Sequence, residues 1–499
     1  MLSSLKISKT LHYFFSFFLG GISVLGFSPF EITTLLVLSF SGLIYICWKS
    51  SHQESFLCGL AFGVGYFGFG VHWVFYSIHT FGHAPLVFSL FMTLLFSLYL
   101  ALFIAISCFF TNKYFYSKTL LYYVFAWTSL FVFFEWLRSL LFTGFPWLLV
   151  GQSSLGSFFS GYLPLGGVFL TSFIILIFSA FLLCVFLSLN KKRIYCLALL
   201  TLWFAGFQLN SVEWTTPLNK TLSISIVQPN VAQDIKWQKE NRTKIMLDHY
   251  NLTNASPPSD IILWPEAAIP AYYHQLKDNY FNTIQTNLAQ KGTSLVAGVF
   301  YYDKEDSLAY NSLINIQNSQ FYKKRHLVPF GEYLPFRKFF SFIHDYVTIP
   351  MSDIAAGDSV PIIPINNTQA GVTICYEDIF PQLTLDAMPN AQYLINVSND
   401  GWFGFSFAAD QHLQMSRLRA TETERYMIRA TNTGISAVID HKGRVVKKLA
   451  MNQKGILSSK IMLRKGVTPY ASLQGYLFFI IIFLIFVVLF LRRTHYIAR

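Results

Sequence analysis

The chain has 499 residues, of which 53% are hydrophobic, 18% aromatic and only 12% charged. Soluble domains carry roughly twice that charged share, so a wholly soluble protein is excluded. The net charge of +12 is scattered through short loops between apolar runs, a pattern that fits orientation in a bilayer and not nucleic-acid binding.

Apolar runs near the ~20 residues that a bilayer requires predict about eight membrane spans, at 11–28, 30–48, 56–78, 85–110, 119–137, 160–189, 193–210 and 472–491. Lys6, Lys9, Lys49, Lys113, Lys118, the Lys191-Lys192-Arg193 run and Arg492-Arg493 then fall on the side of the termini. The alternate loops 28–31 and 79–84 carry no Lys or Arg. By the positive-inside rule both termini are expected in the cytoplasm, and the long block after the seventh span outside it. The basic start followed by an apolar run imitates a signal peptide. No small-residue cleavage site follows and further spans come at once, so the segment is expected to be retained. The stretch from Arg138 to Phe159 is apolar but too rich in Gly and Pro for a straight helix. Glu135 and Arg138, at i and i+3 on a span end, are expected to pair with each other and pin this loop, with a substrate role as the alternative.

The expected organisation is a membrane bundle at 1–211, an outer domain at 212–470, and a final span with a basic tail at 471–499. In the outer domain, short β-rich runs at 222–227, 261–264, 294–299, 320–324, 371–374, 393–397 and 435–440 alternate with amphipathic stretches at 237–255, 273–291, 383–388 and 408–429. Such alternation predicts an α/β layered domain. Arg417, Arg419, Glu422, Glu424 and Arg425 predict a charged, partly solvated face on the last helix.

Three strand ends carry chemistry. Ile261-Ile262-Leu263-Trp264-Pro265 ends in Glu266. Tyr322-Lys323-Lys324-Arg325-His326 leads through a Pro/Gly turn to Glu332. Gly371-Val372-Thr373-Ile374 ends in Cys375-Tyr376-Glu377-Asp378. Cys375 is the one cysteine between residues 212 and 470. A structural disulfide within that block is therefore excluded. Inert burial, an intermolecular bridge or a nucleophile remain. Glu, Lys and Cys together have a clear logic. A thiol is mostly protonated at neutral pH and needs a base, and a fixed ammonium steadies both the thiolate and a later oxyanion. Spacing alone leaves Lys323 beside Lys324. His326 and His412 have no metal-ligand spacing, and neither a metal nor another cofactor is expected.

Trp264-Pro265-Glu266, the run Lys324 to Glu332, Cys375-Tyr376-Glu377 and Asn396-Val397-Ser398-Asn399-Asp400-Gly401-Trp402-Phe403-Gly404 resemble the nitrilase (carbon–nitrogen hydrolase) superfamily. Membrane-side motifs narrow the resemblance to the apolipoprotein N-acyltransferase family of Gram-negative bacteria. These are Phe27-Ser28-Pro29-Phe30, Glu135-Trp136-Leu137-Arg138 and Thr143-Gly144-Phe145-Pro146-Trp147.

That resemblance implies a multi-pass helical bundle carrying a nitrilase-type αββα sandwich in the periplasm of the inner membrane. It assigns Glu266 as general base, Lys324 as oxyanion-stabilising cation and Cys375 as nucleophile. Trp237, Glu332, Tyr376, Glu377 and Trp147 are expected as substrate-binding or supporting residues, with Trp237 in a lid over the thiol. The implied reaction moves an acyl chain from the sn-1 position of a phospholipid, typically phosphatidylethanolamine, to the α-amino group of a diacylglyceryl-cysteine at an apolipoprotein N-terminus. It passes through a Cys375 thioester, and a monomer is expected. The alternatives are a membrane-tethered amidase that releases its acyl group to water, and a non-catalytic lipoprotein-binding protein.

Overall fold

The fold is that of a computed structural model, which describes residues 9–117, 119–335 and 354–497. Lys6 and Lys118 lie outside the described residues, as do the side chains of Arg492 and Arg493. The chain divides into two units. The first is Met1–Phe75, Val87–Val212 and Gly475–Arg499, and the second is Tyr76–Leu86 with Glu213–Gln474.

In the first unit a helix stands at each of the expected span positions. Leu86–Tyr114, Leu120–Arg138, Phe158–Leu187 and Lys192–Ser211 are long and apolar enough to cross a bilayer by themselves. Thr33–Lys49 and Tyr476–Leu491 are shorter apolar helices, and Lys9–Ser23 has 15 residues. The span expected at 56–78 ends early. His52–Gly70 stops, and the chain bends by 61° into Val74–Phe81.

Helices here pack through small residues, because apolar side chains gain little by leaving lipid for each other. A Cβ on Gly20 would stand 2.0 Å from the carbonyl oxygen of Phe62, and one on Gly65 2.1 Å from that of Phe17. The helices Lys9–Ser23 and His52–Gly70 thus touch backbone to backbone. The loop after Arg138 breaks into short turns at Leu141–Thr143, Val150–Ser154 and Phe158–Tyr162. Arg138 Nη1 donates to the carbonyls of Phe145 (2.6 Å) and Trp147 (2.8 Å), and Val150 N–H donates to Glu135 (2.8 Å). Each of the two side chains holds the loop by its own bonds to loop backbone.

Among the described residues the second unit holds twelve strands: β1 Thr216–Gln228, β2 Ile261–Leu263, β3 Ser294–Asp303, β4 Leu308–Asn315, β5 Gln320–Lys323, β6 Ile362–Ile365, β7 Thr368–Ile374, β8 Tyr393–Ser398, β9 Met427–Thr431, β10 Ser436–Ile439, β11 Val445–Leu449 and β12 Gly455–Lys465. They form two six-stranded sheets, ordered β12-β1-β2-β3-β4-β5 and β11-β10-β9-β8-β7-β6. Each sheet has two parallel pairs flanked by antiparallel ones, β1-β2-β3 in one and β7-β8-β9 in the other.

The strand period of two decides which side chains meet. Ile224, Ile226, Ile261 and Leu263 join Val372, Ile374, Ile395 and Val397 in a core between the sheets. The alternate residues Val227, Ile262, Trp264 and Leu295 meet Ile245 and Ile284 from outer helices, while Leu394, Met427 and Ile439 meet Leu413 and Ala420 on the opposite side. The layers are therefore α-β-β-α.

Three expectations need correction. The helix expected over 408–429 is Ala408–Thr423, and Met427 already begins β9. Glu424 turns left-handed (φ 46°), where its carboxylate takes bonds from Thr215 N–H and Lys442. The face expected to be solvated is buried: Arg419, Glu422, Glu424 and Arg425 are at most 1% exposed. Arg419 pairs with Glu422 (3.0 Å), and Arg425 donates to the carbonyls of Ala391 and Gly466. The stretch expected as one helix over 273–291 is likewise broken, into Tyr273–Leu276, a wider turn at Lys277–Phe281, and Asn282–Ala289.

Gly65→Val should cost about 1–3 kcal/mol by wedging the two helices apart. A Cβ at Gly68, three residues on, meets open space. Gly68→Ala should therefore be neutral or gain about 0.5–1 kcal/mol from helix propensity. Thermal melts of the purified variants in detergent check both.

Candidate active site

The three predicted strand ends meet. Glu266 follows β2, Lys324 follows β5 and Cys375 follows β7, so the first two come from one sheet and the thiol from the other. Lys324 and Glu332 are 1% and 2% exposed, Glu266 is 6% exposed, and Cys375 is half-buried. Lys324 Nζ sits 2.9 Å from Glu332 and 3.5 Å from Glu266 Oε1. Asn311, on β4, bridges the same two carboxylates, donating to Glu266 at 2.7 Å and Glu332 at 3.1 Å. Val328 N–H donates to the second oxygen of Glu332 at 2.8 Å.

Local sequence explains each placement. Trp264 Nε1 donates to Thr253 at 2.9 Å, which anchors the Trp-Pro-Glu corner to the helix Arg242–Ala255. Gly298 on β3 lets that corner lie close, because a Cβ there would stand 2.4 Å from the Pro265 carbonyl oxygen. The strand alternation separates the two lysines. Lys323 Nζ turns to Asp303 (2.9 Å) and lies over the Tyr310 ring (4.0 Å), whereas Lys324 turns to Glu266. Cys375 adopts φ +52°, an uncommon conformation for a side-chain-bearing residue, and opens the short turn Cys375–Ile379.

The electrostatics are coupled. Burial works against charge on Lys324, but the Glu332 and Glu266 carboxylates outweigh it and hold its pKa above the ordinary value. Burial, then the Glu266 carboxylate, push the Cys375 thiol well up, with Lys324 opposing. The resting sulfur is thus a neutral thiol beside a carboxylate and a fixed ammonium. This set can deprotonate a thiol, deliver it to a carbonyl carbon and hold the resulting negative charge.

Two family models match this chain: "Carbon-nitrogen hydrolase" over residues 223–466 and "Apolipoprotein N-acyltransferase N-terminal domain" over residues 19–181. Proteins named apolipoprotein N-acyltransferase from Nitrosomonas europaea and Coxiella burnetii are each 36% identical to it. The first match covers 94% of both chains, and the second 90% of this chain and 94% of the relative. The chain belongs to the apolipoprotein N-acyltransferase family. Among solved structures, a carbon-nitrogen hydrolase from Helicobacter pylori G27 superposes with a TM-score of 0.38 at 15% identity, covering 48% of this chain and 89% of that one.

Within this acyltransferase-family site, Glu377 is fully buried and its carboxylate accepts from the N–H groups of Ile374 (2.7 Å), Arg325 (2.6 Å) and His326 (3.0 Å) and from the Tyr322 hydroxyl (2.9 Å). Burial raises its pKa, against these donors. It ties the residue before Cys375 to the residue after Lys324. Tyr376 stands beside Phe380 (ring centroids 5.1 Å apart) and His326 (5.9 Å). Trp237 is 41% exposed, with its ring 5.5 Å from Phe300. Trp147 belongs to the first unit, where it is buried between Trp73 and Phe145.

Sequence reasoning missed Asn311, Lys236 and Ser398. Asn311 lies on a strand whose buried polar residues hid it, and Ser398 was visible only as part of a longer motif. Lys236 is 1% exposed, and its Nζ lies 3.4 Å from the Glu266 carbonyl oxygen. Burial lowers its pKa to about 8, with Glu266 opposing. No sequence signal marked it beyond adjacency to Trp237.

Gly298→Ala should push the Pro265–Glu266 backbone away and lower turnover by about 10–100-fold, the scale of ångström misplacements. The fold should survive. Steady-state acyl transfer and a thermal melt on the same preparation check this.

Proposed function

We propose that this protein moves a fatty acyl chain from a membrane phospholipid to the N-terminal α-amino group of a diacylglyceryl-cysteine lipoprotein. The observation that carries the reading is the convergence of Glu266, Lys324 and Cys375, in a chain with four helices among its described residues long and apolar enough to cross a bilayer. Its membership of the apolipoprotein N-acyltransferase family supports the acceptor.

In the first step Glu266 takes the thiol proton as Sγ attacks the sn-1 ester carbonyl. Lys324 stabilises the oxyanion. Collapse of the intermediate breaks the ester C–O bond, the leaving alkoxide takes the proton from Glu266, and lysophospholipid departs. In the second step the acceptor's neutral amine attacks the thioester. Glu266 takes the amine proton, the C–S bond breaks, and the returned proton restores the thiol. Glu332 and Asn311 keep Lys324 and Glu266 in place, Glu377 keeps the two sheets' contributions in register, and exposed Trp237 serves as a lid residue. Tyr376 and Trp147 are assigned supporting roles. Phosphatidylethanolamine is the proposed donor. The catalytic domain is placed on the periplasmic side of the inner membrane with both termini cytoplasmic, as the distribution of Lys and Arg supports, and the protein is taken as a monomer.

Intact mass after incubation with phosphatidylethanolamine, without acceptor, tests the chemistry. The wild type should gain one acyl mass that neutral hydroxylamine removes, and Cys375→Ala should gain none. A diacylated lipopeptide should then discharge the adduct as triacylated product. Discharge only as free fatty acid would make the protein a hydrolase. Lipid binding with neither adduct nor lysophospholipid would leave it a binding protein.

A further inference from the structure

Behind Cys375 four ionisable groups are sealed from water. Asp378, Asp400, His412 and Arg429 are each at most 2% exposed. They come from the turn after β7, the turn after β8, the helix Ala408–Thr423 and β9 respectively. His412 Nε2 lies 2.8 Å from Asp378 Oδ1 and 3.2 Å from the carbonyl oxygen of Cys375, and its Nδ1 lies 2.9 Å from Asp400. Arg429 donates to Asn396 (2.6 Å), Ser416 (3.0 Å), Asp378 (3.1 Å) and Asp400 (3.0 Å), and the Ser416 hydroxyl donates in turn to Asp378. Asn396 Nδ2 then donates to the same Cys375 carbonyl at 3.4 Å. Ser398 donates to Asp400 at 2.8 Å.

A network of this kind is a poor way to gain stability, since apolar packing often does as well. Its geometry has a focus instead. Two donors end on one carbonyl oxygen, that of the residue held at positive φ. We propose that Asp378, His412, Asp400 and Arg429 form the positioning device of the nucleophile, clamping the Cys375 backbone so that the thiol faces Glu266 and Lys324. The inference rests on Cys375 being the nucleophile.

The device depends on the charge of His412. With His412 protonated, two carboxylates are balanced by two cations. Both ring N–H groups then donate, one to Asp400 and the other to Asp378 and Cys375. Burial and Arg429 work against that proton, but Asp378 and Asp400 outweigh them and hold it to about pH 9. Above that pH the cluster carries a net negative charge behind a sulfur that must itself become negative. Nδ1 also turns from a donor to Asp400 into an acceptor for Arg429 Nη2, which stands 2.9 Å away. Thioester formation should therefore slow as pH rises through 9, with no change in phospholipid affinity.

The test is single-turnover thioester formation by the full chain with phosphatidylethanolamine, from about pH 6 to about pH 10. It compares wild type, His412→Gln, Cys375→Ala and Arg419→Met. The last removes a buried ion pair on the same helix and serves as a control for lost stability. His412→Gln should form the thioester about 10–100-fold more slowly with KM unchanged, and its profile should lack the alkaline fall seen in wild type. Arg419→Met should lose thermal stability and keep both rate and profile. A fall shared by wild type and His412→Gln, or a rate loss in His412→Gln that only tracks its thermal midpoint as in Arg419→Met, overturns the inference. If His412→Gln does not fold, wild type with phosphatidylglycerol decides, because that head group has no amine to titrate; a flat alkaline profile overturns the proposal. Acylation that persists in Cys375→Ala is a separate result, which removes the nucleophile itself.

Discussion

Lys324 is an ammonium removed from water, and the rest of the site is arranged around keeping it charged. An isolated ammonium in such a place loses several kcal/mol of hydration. Two carboxylates within 3.5 Å restore it. The cost moves to the thiol, because two negative groups around one positive group leave no favourable place for a resting thiolate. Cys375 therefore rests protonated, with the Glu266 carboxylate raising the cost of its ionisation and Lys324 lowering it. Asn311 makes the arrangement rigid by holding both carboxylates from a neighbouring strand.

Much of this was legible in the sequence where chemistry coincides with a strand end. Pro265 stops β2 and presents Glu266, and the apolar run ending at Cys375 is parallel strand buried on both faces, which reads as continuous hydrophobicity. Lys323 and Lys324 were not separable by spacing, because the choice rests on the opposite directions their side chains take at the end of β5, toward Asp303 and toward Glu266. The strands β4, β6, β9, β11 and β12 escaped notice. β9 carries Arg429 and β4 carries Asn311 and Asn315, all buried, so polarity pointed to surface where the fold placed networks. The charged stretch from Arg417 to Arg425 misled for the same reason. Charges read as solvated unless their partners are known; Arg419 pairs within its own helix with Glu422, but Glu424 and Arg425 are met by Thr215, Ala391, Lys442 and Gly466 from other parts of the chain.

The two sheets repeat one pairing pattern, antiparallel, parallel, parallel, antiparallel, antiparallel, although the sequence shows no internal repeat. Backbone pairing can persist while side chains diverge, since a strand needs only an apolar face in the right phase. In the first sheet the residues that follow the strands include Glu266 and Lys324. In the second they include Cys375, Asp378 and Asp400.

Glu377 gives this division of labour a mechanical meaning. One carboxylate grips the backbone of both sheets, at Ile374 on one side and at Arg325 and His326 on the other. Any shear between the layers would have to break those bonds. Slippage would also move Cys375, which follows a strand of one sheet, away from Glu266 and Lys324, which follow strands of the other.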